Sequence, residues 1–397
     1  MQFPQKAVVY CQSSPHVSAG HDAQSRGKPA NHAAHRKVAA EHATGCGAVT
    51  PDTATLLRPE GVHISPVADT SQARRRDPVI DGLKFVAAGG IVMVHIAMSA
   101  HPGALRDFLE QIAYCALYFF FLVAGYFHGA LGTRGPAWLR KRFVRLAVPY
   151  VVWSVVYLLW WEGHHYLTHQ PFFMPNLVHV VFFAGANEVL WSLPWLFACA
   201  VFAELFARTP FQRRALLVIS GVITLAVWFL VPNSALPDYG LRQFIEGGRW
   251  VFVYVAGMEL RAAARVPFGP RTWMAVGIGS ALAAGAVAVF THAQPTTPVA
   301  QVVMTLLCGT AAFSMLAGAR VNAPWFGVAA LAWGGDFLLG IYVSHHLWLD
   351  ILARLIPTHQ SWPAALWIPF AWTVCFTVAV LVTRLLLSHR WTRLSVS

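Results

Sequence analysis

Charged residues are scarce in this sequence. Only 12% of its 397 residues are Asp, Glu, Lys or Arg, whereas 56% are hydrophobic. A soluble domain cannot hide that much apolar surface, so the composition excludes a soluble globular protein and predicts a polytopic membrane protein. The formal net charge of +12 arises mainly from Lys and Arg in the N-terminal tail and in short loops, where basic residues set membrane orientation. We therefore do not expect a nucleic-acid partner.

Paired cysteine motifs are also missing. The six cysteines are scattered, several lie within apolar runs, and no CxxC or Cys/His zinc spacing is present. The pattern argues against a disulfide framework, and we predict no metal site and no bound cofactor.

Residues 1–76 lack any sustained apolar run. They are rich in Ala, Ser, Gly, Pro and His, and such a segment cannot bury enough surface to fold. We predict a disordered cytosolic N-terminal tail. A basic region followed by an apolar one is absent at the start, so no cleaved signal peptide is expected.

Ten apolar segments follow the tail, each long enough or nearly long enough to cross a bilayer as a helix. Placing the arginines at 74–76 in the cytosol puts most loop Lys and Arg on the cytosolic side, as the positive-inside rule requires. We predict an all-α integral membrane protein with about ten transmembrane helices and both termini cytosolic, residues 391–397 forming the short C-terminus. The connection at 163–187, which lacks Lys and Arg, is expected outside the cytosol. The segments are 79–99, 111–131, 146–162, 188–207, 215–232, 248–262, 272–291, 299–319, 336–356 and 365–387.

The first apolar segment contains three ionisable residues, Asp81, Lys84 and His95. His95 lies eleven positions after Lys84, close to three helical turns, so the two side chains share one face about 16 Å apart along the axis. Asp81, three residues before Lys84, can pair with it. Ionisable groups within a membrane usually face the protein interior or a wet cavity. A snorkelling lysine and a structural histidine are the alternative interpretation.

A basic residue, ten intervening residues and then histidine, preceded by IDGL, resembles the first helix of the membrane-bound acyltransferase 3 family, particularly its fucose-acetylase-like O-acetyltransferases. The family more often has Arg where Lys84 stands, and Ser where Ala124 stands in YFFFLVAGYFHG. Three more stretches resemble the family: the R-x-x-R pair of Arg142 and Arg145, the LWSLPWL step that opens the fourth segment, and the Tyr-x-x-His step that ends at His345. Together they cover residues 77–390, the predicted acyltransferase domain.

The resemblance implies an O-acyltransferase of the cytoplasmic (inner) membrane, multi-pass and surrounded by lipid, that uses acyl-CoA, most simply acetyl-CoA, as co-substrate. Its acceptor would be a hydroxyl of an extracytoplasmic glycan or glycoconjugate. Histidine can serve as the base that such transfer needs, and arginine suits phosphate recognition. Direct transfer and an acyl-protein intermediate both remain open. We expect catalytic roles for His95 and His345, donor binding by Lys84, Arg142 and Arg145, and acceptor binding by Glu188, Trp191 and Trp195.

Each of these roles has an alternative. The arginines can contact lipid headgroups, and the tryptophans can be ordinary interface anchors. A transporter or flippase could use Lys84, His95, Glu204 and Glu259 as a path for protons or substrate, although we find no internal repeat of the kind transporters often show. A non-catalytic membrane sensor with the same fold is the other rival.

Overall fold

The computed structural model describes residues 77–129, 135–169, 186–230, 247–263, 265–291, 298–321, 327–389 and 392–396. The predicted tail and most of the 163–187 connection therefore lie outside the described residues. Within those ranges the chain forms ten α-helices and no strand. They are α1 (Pro78–Ser99), α2 (Ala104–Gly129), α3 (Gly135–Leu167), α4 (Ser192–Phe206), α5 (Pro210–Leu230), α6 (Gly247–Ala262), α7 (Pro270–Phe290), α8 (Pro298–Arg320), α9 (Leu338–Leu355) and α10 (Ala364–Ser388).

Two 3-10 segments continue directly into α-helices, Glu188–Trp191 into α4 and Val328–Phe337 into α9, and a third, Pro357–Ser361, lies between α9 and α10. With the first two segments included, nine described helices are long and apolar enough to cross a membrane. The tenth, α6, has only 16 residues, about 24 Å at the usual helical rise. The prediction of an all-α polytopic membrane protein is thus confirmed, and α6 is the shortest of its helices after α4.

The helix boundaries differ from the apolar segments mainly at α2 and α3. The third segment was predicted at 146–162, but α3 has 33 residues and begins at Gly135, about 50 Å in all. Hydropathy detects only the part of a helix that lipid surrounds, whereas backbone hydrogen bonding continues through the polar stretch before it. The R-x-x-R pair therefore lies on a helical extension rather than in a loop.

Helix α1 has a well-formed N-terminal cap and is buried on most sides. Asp77 accepts hydrogen bonds from the backbone N–H groups of Val79 and Ile80 at 3.0 and 3.2 Å, and Pro78 occupies the first helical position, a favourable pairing at a helix start. Beyond it, α1 packs on α2, α9, α10 and the 3-10 segment Val328–Phe337. Its nearly continuous apolar sequence follows from this central position.

Helix α2 is the second central element, because it contacts α1, α6, α7 and α8. Its approach to α6 is close: a Cβ added at Gly125 would lie 1.8 Å from the Tyr254 carbonyl oxygen, and one at Gly257 would lie 2.1 Å from the Leu122 carbonyl oxygen. Glycine at both positions lets the two backbones approach. The peripheral helix α5 differs from the central helices in its exposure. Large apolar side chains such as Val218 and Val222 are exposed on it, as expected for a lipid-facing surface.

Candidate active site

Three histidines from two helices form one cluster. The ring of His95, on α1, lies 5.2 Å from the ring of His345 and 5.3 Å from that of His346, both on α9. His345 is fully buried, whereas His95 and His346 are partly exposed. The structure therefore brings together the two residues for which catalytic roles were predicted, and their roles remain predictions.

The protonation of His345 follows from its surroundings. Its Nδ1 lies 2.7 Å from the carbonyl oxygen of Tyr342 and 3.1 Å from that of Ile341. A carbonyl oxygen can only accept, so Nδ1 must carry the proton and Nε2 of the neutral ring must hold a lone pair. This Nε2 is buried and has no hydrogen-bond partner within the described part of the chain. A lone pair held in this way is suited to accept a proton from a neighbouring group.

Tyr342 connects the cluster to the start of α4. Its hydroxyl accepts a hydrogen bond from Ser192 Oγ at 2.7 Å and donates one to the Val189 carbonyl oxygen, and its ring stacks on Phe120 at 5.6 Å. The Tyr-x-x-His step therefore has a structural meaning, because Tyr342 anchors one side of α9 while its carbonyl oxygen orients His345.

Sequence reasoning missed Asn187 and His346. Asn187 Oδ1 accepts from the backbone N–H of Val189 at 3.0 Å, and its Nδ2 lies 3.1 Å from His346 Nδ1. The adjacent histidines of VSHHLW were visible in the sequence, but only His345 fits the Tyr-x-x-His spacing. Nothing in the sequence indicates that residues 187 and 346 meet.

Lys84 lies on the same helix as His95, toward its N-terminal end. Its Nζ is 2.7 Å from Asp81 Oδ1, which confirms the expected pairing within the helix. The ammonium also lies 4.5 Å from the centre of the Phe127 ring. Lys84 is 19% exposed at its side chain, so a charged ligand could still reach it.

Arg142 and Arg145 are placed near the start of α3. The guanidinium of Arg142 lies over the Trp138 ring at 5.4 Å, and the same ring contacts that of His128 at 4.6 Å. Arg145 is exposed and interacts electrostatically with Arg142 and Asp336. The three predicted donor-binding residues are thus distributed over α1 and the extension of α3, and no direct contact joins Lys84 to either arginine in the described structure.

The predicted acceptor residues lie around the start of α4. Trp191 is only 6% exposed and packs against Phe121 and Trp250, the placement of a core residue. Trp195 is partly buried, and its indole lies so close to Gly247 that a Cβ there would be 1.9 Å from it. The side chain of Glu188 lies outside the described residues. The structure brings this region to the histidine cluster through the contact between Ser192 and Tyr342.

The two glutamates that a transport path would need lie elsewhere. Glu204, buried in the last turn of α4, has its Oε1 3.0 Å from His128 Nε2. Glu259, near the end of α6, accepts from Arg213 Nε at 2.7 Å. These contacts join Glu204 to α2 and Glu259 to α5. Within the described ranges, no group of three or more His, Cys, Asp or Glu residues is arranged to hold a metal ion.

No curated protein and no solved structure matches the chain. A family model described as an acyltransferase domain does match, over residues 77–389. That range contains both central helices, the three clustered histidines and all the predicted donor residues. Because the match covers most of the sequence, the chain belongs to the acyltransferase 3 family of membrane-bound acyltransferases.

Proposed function

We propose that this acyltransferase is an O-acetyltransferase of the cytoplasmic membrane. It would move an acetyl group from acetyl-CoA on the cytosolic side to a hydroxyl of an extracytoplasmic glycan or glycoconjugate. The observation that supports this most strongly is the histidine cluster: His95 is partly exposed, and beside it His345 holds an unpartnered lone pair at a fixed position. These are the groups that proton removal from a hydroxyl requires.

In the proposed transfer, His95 acts as the base. The acceptor hydroxyl gives its proton to His95 as its oxygen bonds to the thioester carbonyl carbon. The carbonyl electrons move to the carbonyl oxygen and then return, which breaks the C–S bond. The CoA thiolate takes the proton from the imidazolium and leaves as a thiol, and the acceptor carries the new ester. The ring of His345 packs beside this base, 5.2 Å away between ring centres.

The positions of the positive charges suit a donor that enters from the cytosol. Lys84 lies about 16 Å from His95 along α1, so the arm of acyl-CoA between phosphates and thioester would lie along this face. Arg142 and Arg145 supply further cationic groups on the α3 extension, and arginine can bind phosphate through two parallel hydrogen bonds. On the acceptor side, Ser192 at the start of α4 contacts Tyr342, three residues before His345, and the nearby Glu188 and Trp195 would bind the acceptor.

The test uses inverted membrane vesicles that contain the protein, so that added acetyl-CoA meets the cytosolic face. We expect label from acetyl-CoA to appear in the vesicle glycan fraction as an alkali-labile ester. Vesicles containing the His95→Ala protein at equal abundance are the control. A transporter or a sensor would leave acetyl-CoA unconsumed, and absence of any donor consumption by the folded protein would overturn the proposal.

A further inference from the structure

The hydrogen bonds of Asn187 fix the tautomer of His346. The backbone N–H of Val189, which can only donate, lies 3.0 Å from Asn187 Oδ1. The other end of the amide must then be its NH₂ group, which also only donates, and it lies 3.1 Å from His346 Nδ1. Nδ1 of His346 therefore accepts a hydrogen bond, and the proton of the neutral ring is on Nε2. Asn187 is buried, so water competes little for these bonds.

The neighbouring histidine has the opposite tautomer. His345 donates from Nδ1 to the Tyr342 carbonyl oxygen at 2.7 Å and carries its lone pair on Nε2. Two consecutive residues of α9 thus differ at the same ring atom: Nε2 carries a lone pair in His345 and a proton in His346. Both rings lie little more than 5 Å from His95.

Acyl transfer needs both a proton acceptor and a hydrogen-bond donor. One accepts the proton of the attacking hydroxyl, and another donates a hydrogen bond to the carbonyl oxygen while that oxygen carries negative charge. His95 and His345 can account for the first requirement. The second needs a donor that is oriented before the reaction, since a donor that must reorient stabilises the transition state less. An N–H held on Nε2 by a buried amide has this property.

We propose that His346 is a further catalytic residue and that Asn187 is the positioning residue that acts through it. This inference rests on the proposed acyl transfer. His346 donates from Nε2 to the acyl carbonyl oxygen when the tetrahedral intermediate forms, and it keeps its proton throughout. Asn187 accepts from Val189 and donates to His346 Nδ1, which holds the proton on the opposite ring nitrogen.

The first arm of the test replaces His346. Glutamine keeps an N–H donor near the position of Nε2, whereas phenylalanine keeps the ring size and removes the donor. We expect His346→Gln to retain kcat within about tenfold and His346→Phe to lower it by about 10²–10³-fold, the usual cost of removing one oxyanion donor. The KM for acetyl-CoA should change by less than about threefold in both variants, because the bond forms only in the transition state.

The second arm replaces Asn187 with serine, which can still cap Val189 but cannot donate to His346. Asn187→Ser should lower kcat by about tenfold in the wild-type background and have no further effect in the His346→Gln background, since glutamine has no tautomers; such non-additivity marks residues that act through one another. Equal losses in the two backgrounds would show a merely structural role and overturn the assignment.

A spectroscopic measurement on the wild-type protein tests the tautomer without any variant. Ring ¹⁵N spectra should show His346 with a bare Nδ1 and a protonated Nε2, and a protonated Nδ1 would overturn the inference even if every variant failed to fold. Wild-type turnover of acetyl-CoA is measured first. Its absence removes the proposed function and this inference together, whereas normal turnover with an unaffected His346→Phe protein removes the inference alone.

Discussion

At the scale of single residues, the exposure of the side chain distinguishes His95 from His345 within the histidine cluster. His345 has no exposed surface, whereas His95 retains some, so of these two only His95 can meet a substrate without rearrangement. The backbone hydrogen bond at Nδ1 of His345 fixes its ring but leaves Nε2 unpartnered among the described residues. This arrangement favours His95 as the group that contacts the acceptor hydroxyl and His345 as its neighbour.

We predict that His95→Ala lowers the rate of acetyl transfer by about 10²–10⁴-fold, the usual contribution of a general base, while binding of acetyl-CoA stays nearly unchanged. Turnover and equilibrium binding of labelled donor are the two measurements. His101→Ala is the matched control, because His101 is an exposed histidine of the turn that follows α1. A folded His95→Ala protein with turnover close to that of His101→Ala would remove His95 from the mechanism.

Lys84 should affect donor binding rather than the chemical step. Lys84→Ala removes a charge and is expected to raise the KM for acetyl-CoA by about 10- to 100-fold, the value of one hydrogen bond to a charged group, with kcat little changed. Lys84→Arg keeps the charge and restores the commoner residue of the family, so its KM should stay near the wild-type value. If Lys84→Ala binds acetyl-CoA as tightly as Lys84→Arg, the donor phosphates must lie nearer to Arg142 and Arg145.

At the scale of helices, close backbone contact between α2 and α6 supports the short helix α6. Gly125 belongs to the stretch in which Ala124 replaces the family's serine, and a Cβ there would overlap the Tyr254 carbonyl oxygen at 1.8 Å. Tyr254 also places its hydroxyl 2.8 Å from His128 Nδ1. Gly125 therefore serves packing, because only glycine leaves room for the backbone of α6 at this position.

Gly125→Ala should force α2 and α6 apart. Overpacking of this kind typically costs about 1–3 kcal/mol, so the variant should unfold at a lower temperature in detergent and reach the membrane in smaller amounts. Gly279→Ala on α7 and Gly309→Ala on α8 are matched controls, because a Cβ at either position meets no atom within 4 Å. A Gly125→Ala protein as stable as these two controls would contradict the close packing of α2 on α6.

At the scale of the whole molecule, the predicted orientation places the two ends of α3 on opposite sides of the membrane. Arg142 and Arg145 lie near its start, and Thr168 follows its end and is exposed. The four cysteines of the described residues are all buried, so they should not react with a thiol reagent in the folded protein.

A cysteine introduced at Thr168 should react with a membrane-impermeant maleimide on intact cells, in a background where Cys11 and Cys46 are replaced by serine. A cysteine at Gln212, an exposed residue at the start of α5, should react only after the cells are broken, since the same prediction places it in the cytosol. The reverse pattern would invert the topology and place the donor-binding charges on the wrong side for acyl-CoA.

The helices, the residues that share a helix face and the family could all be predicted from the sequence alone. Long apolar runs have one stable solution in a membrane, the helix, because every backbone polar group must be satisfied internally. The period of that helix then fixes which residues share a face, so the Asp81–Lys84 ion pair and the alignment of Lys84 with His95 could be predicted from spacing. The family could also be recognised, since its stretches lie within single elements, and the match over residues 77–389 confirms it.

Contacts between residues of different helices could be seen only in the tertiary structure. His95 and His346 are 251 residues apart in sequence, and Asn187 comes from a third part of the chain. Such contacts depend on the order of helices around the bundle and on how closely they approach, which side-chain packing sets and periodicity does not. The same reason applies to Trp191: the sequence led us to predict acceptor binding, with an interface anchor as the alternative, whereas α2 and α6 pack Phe121 and Trp250 around it in the core.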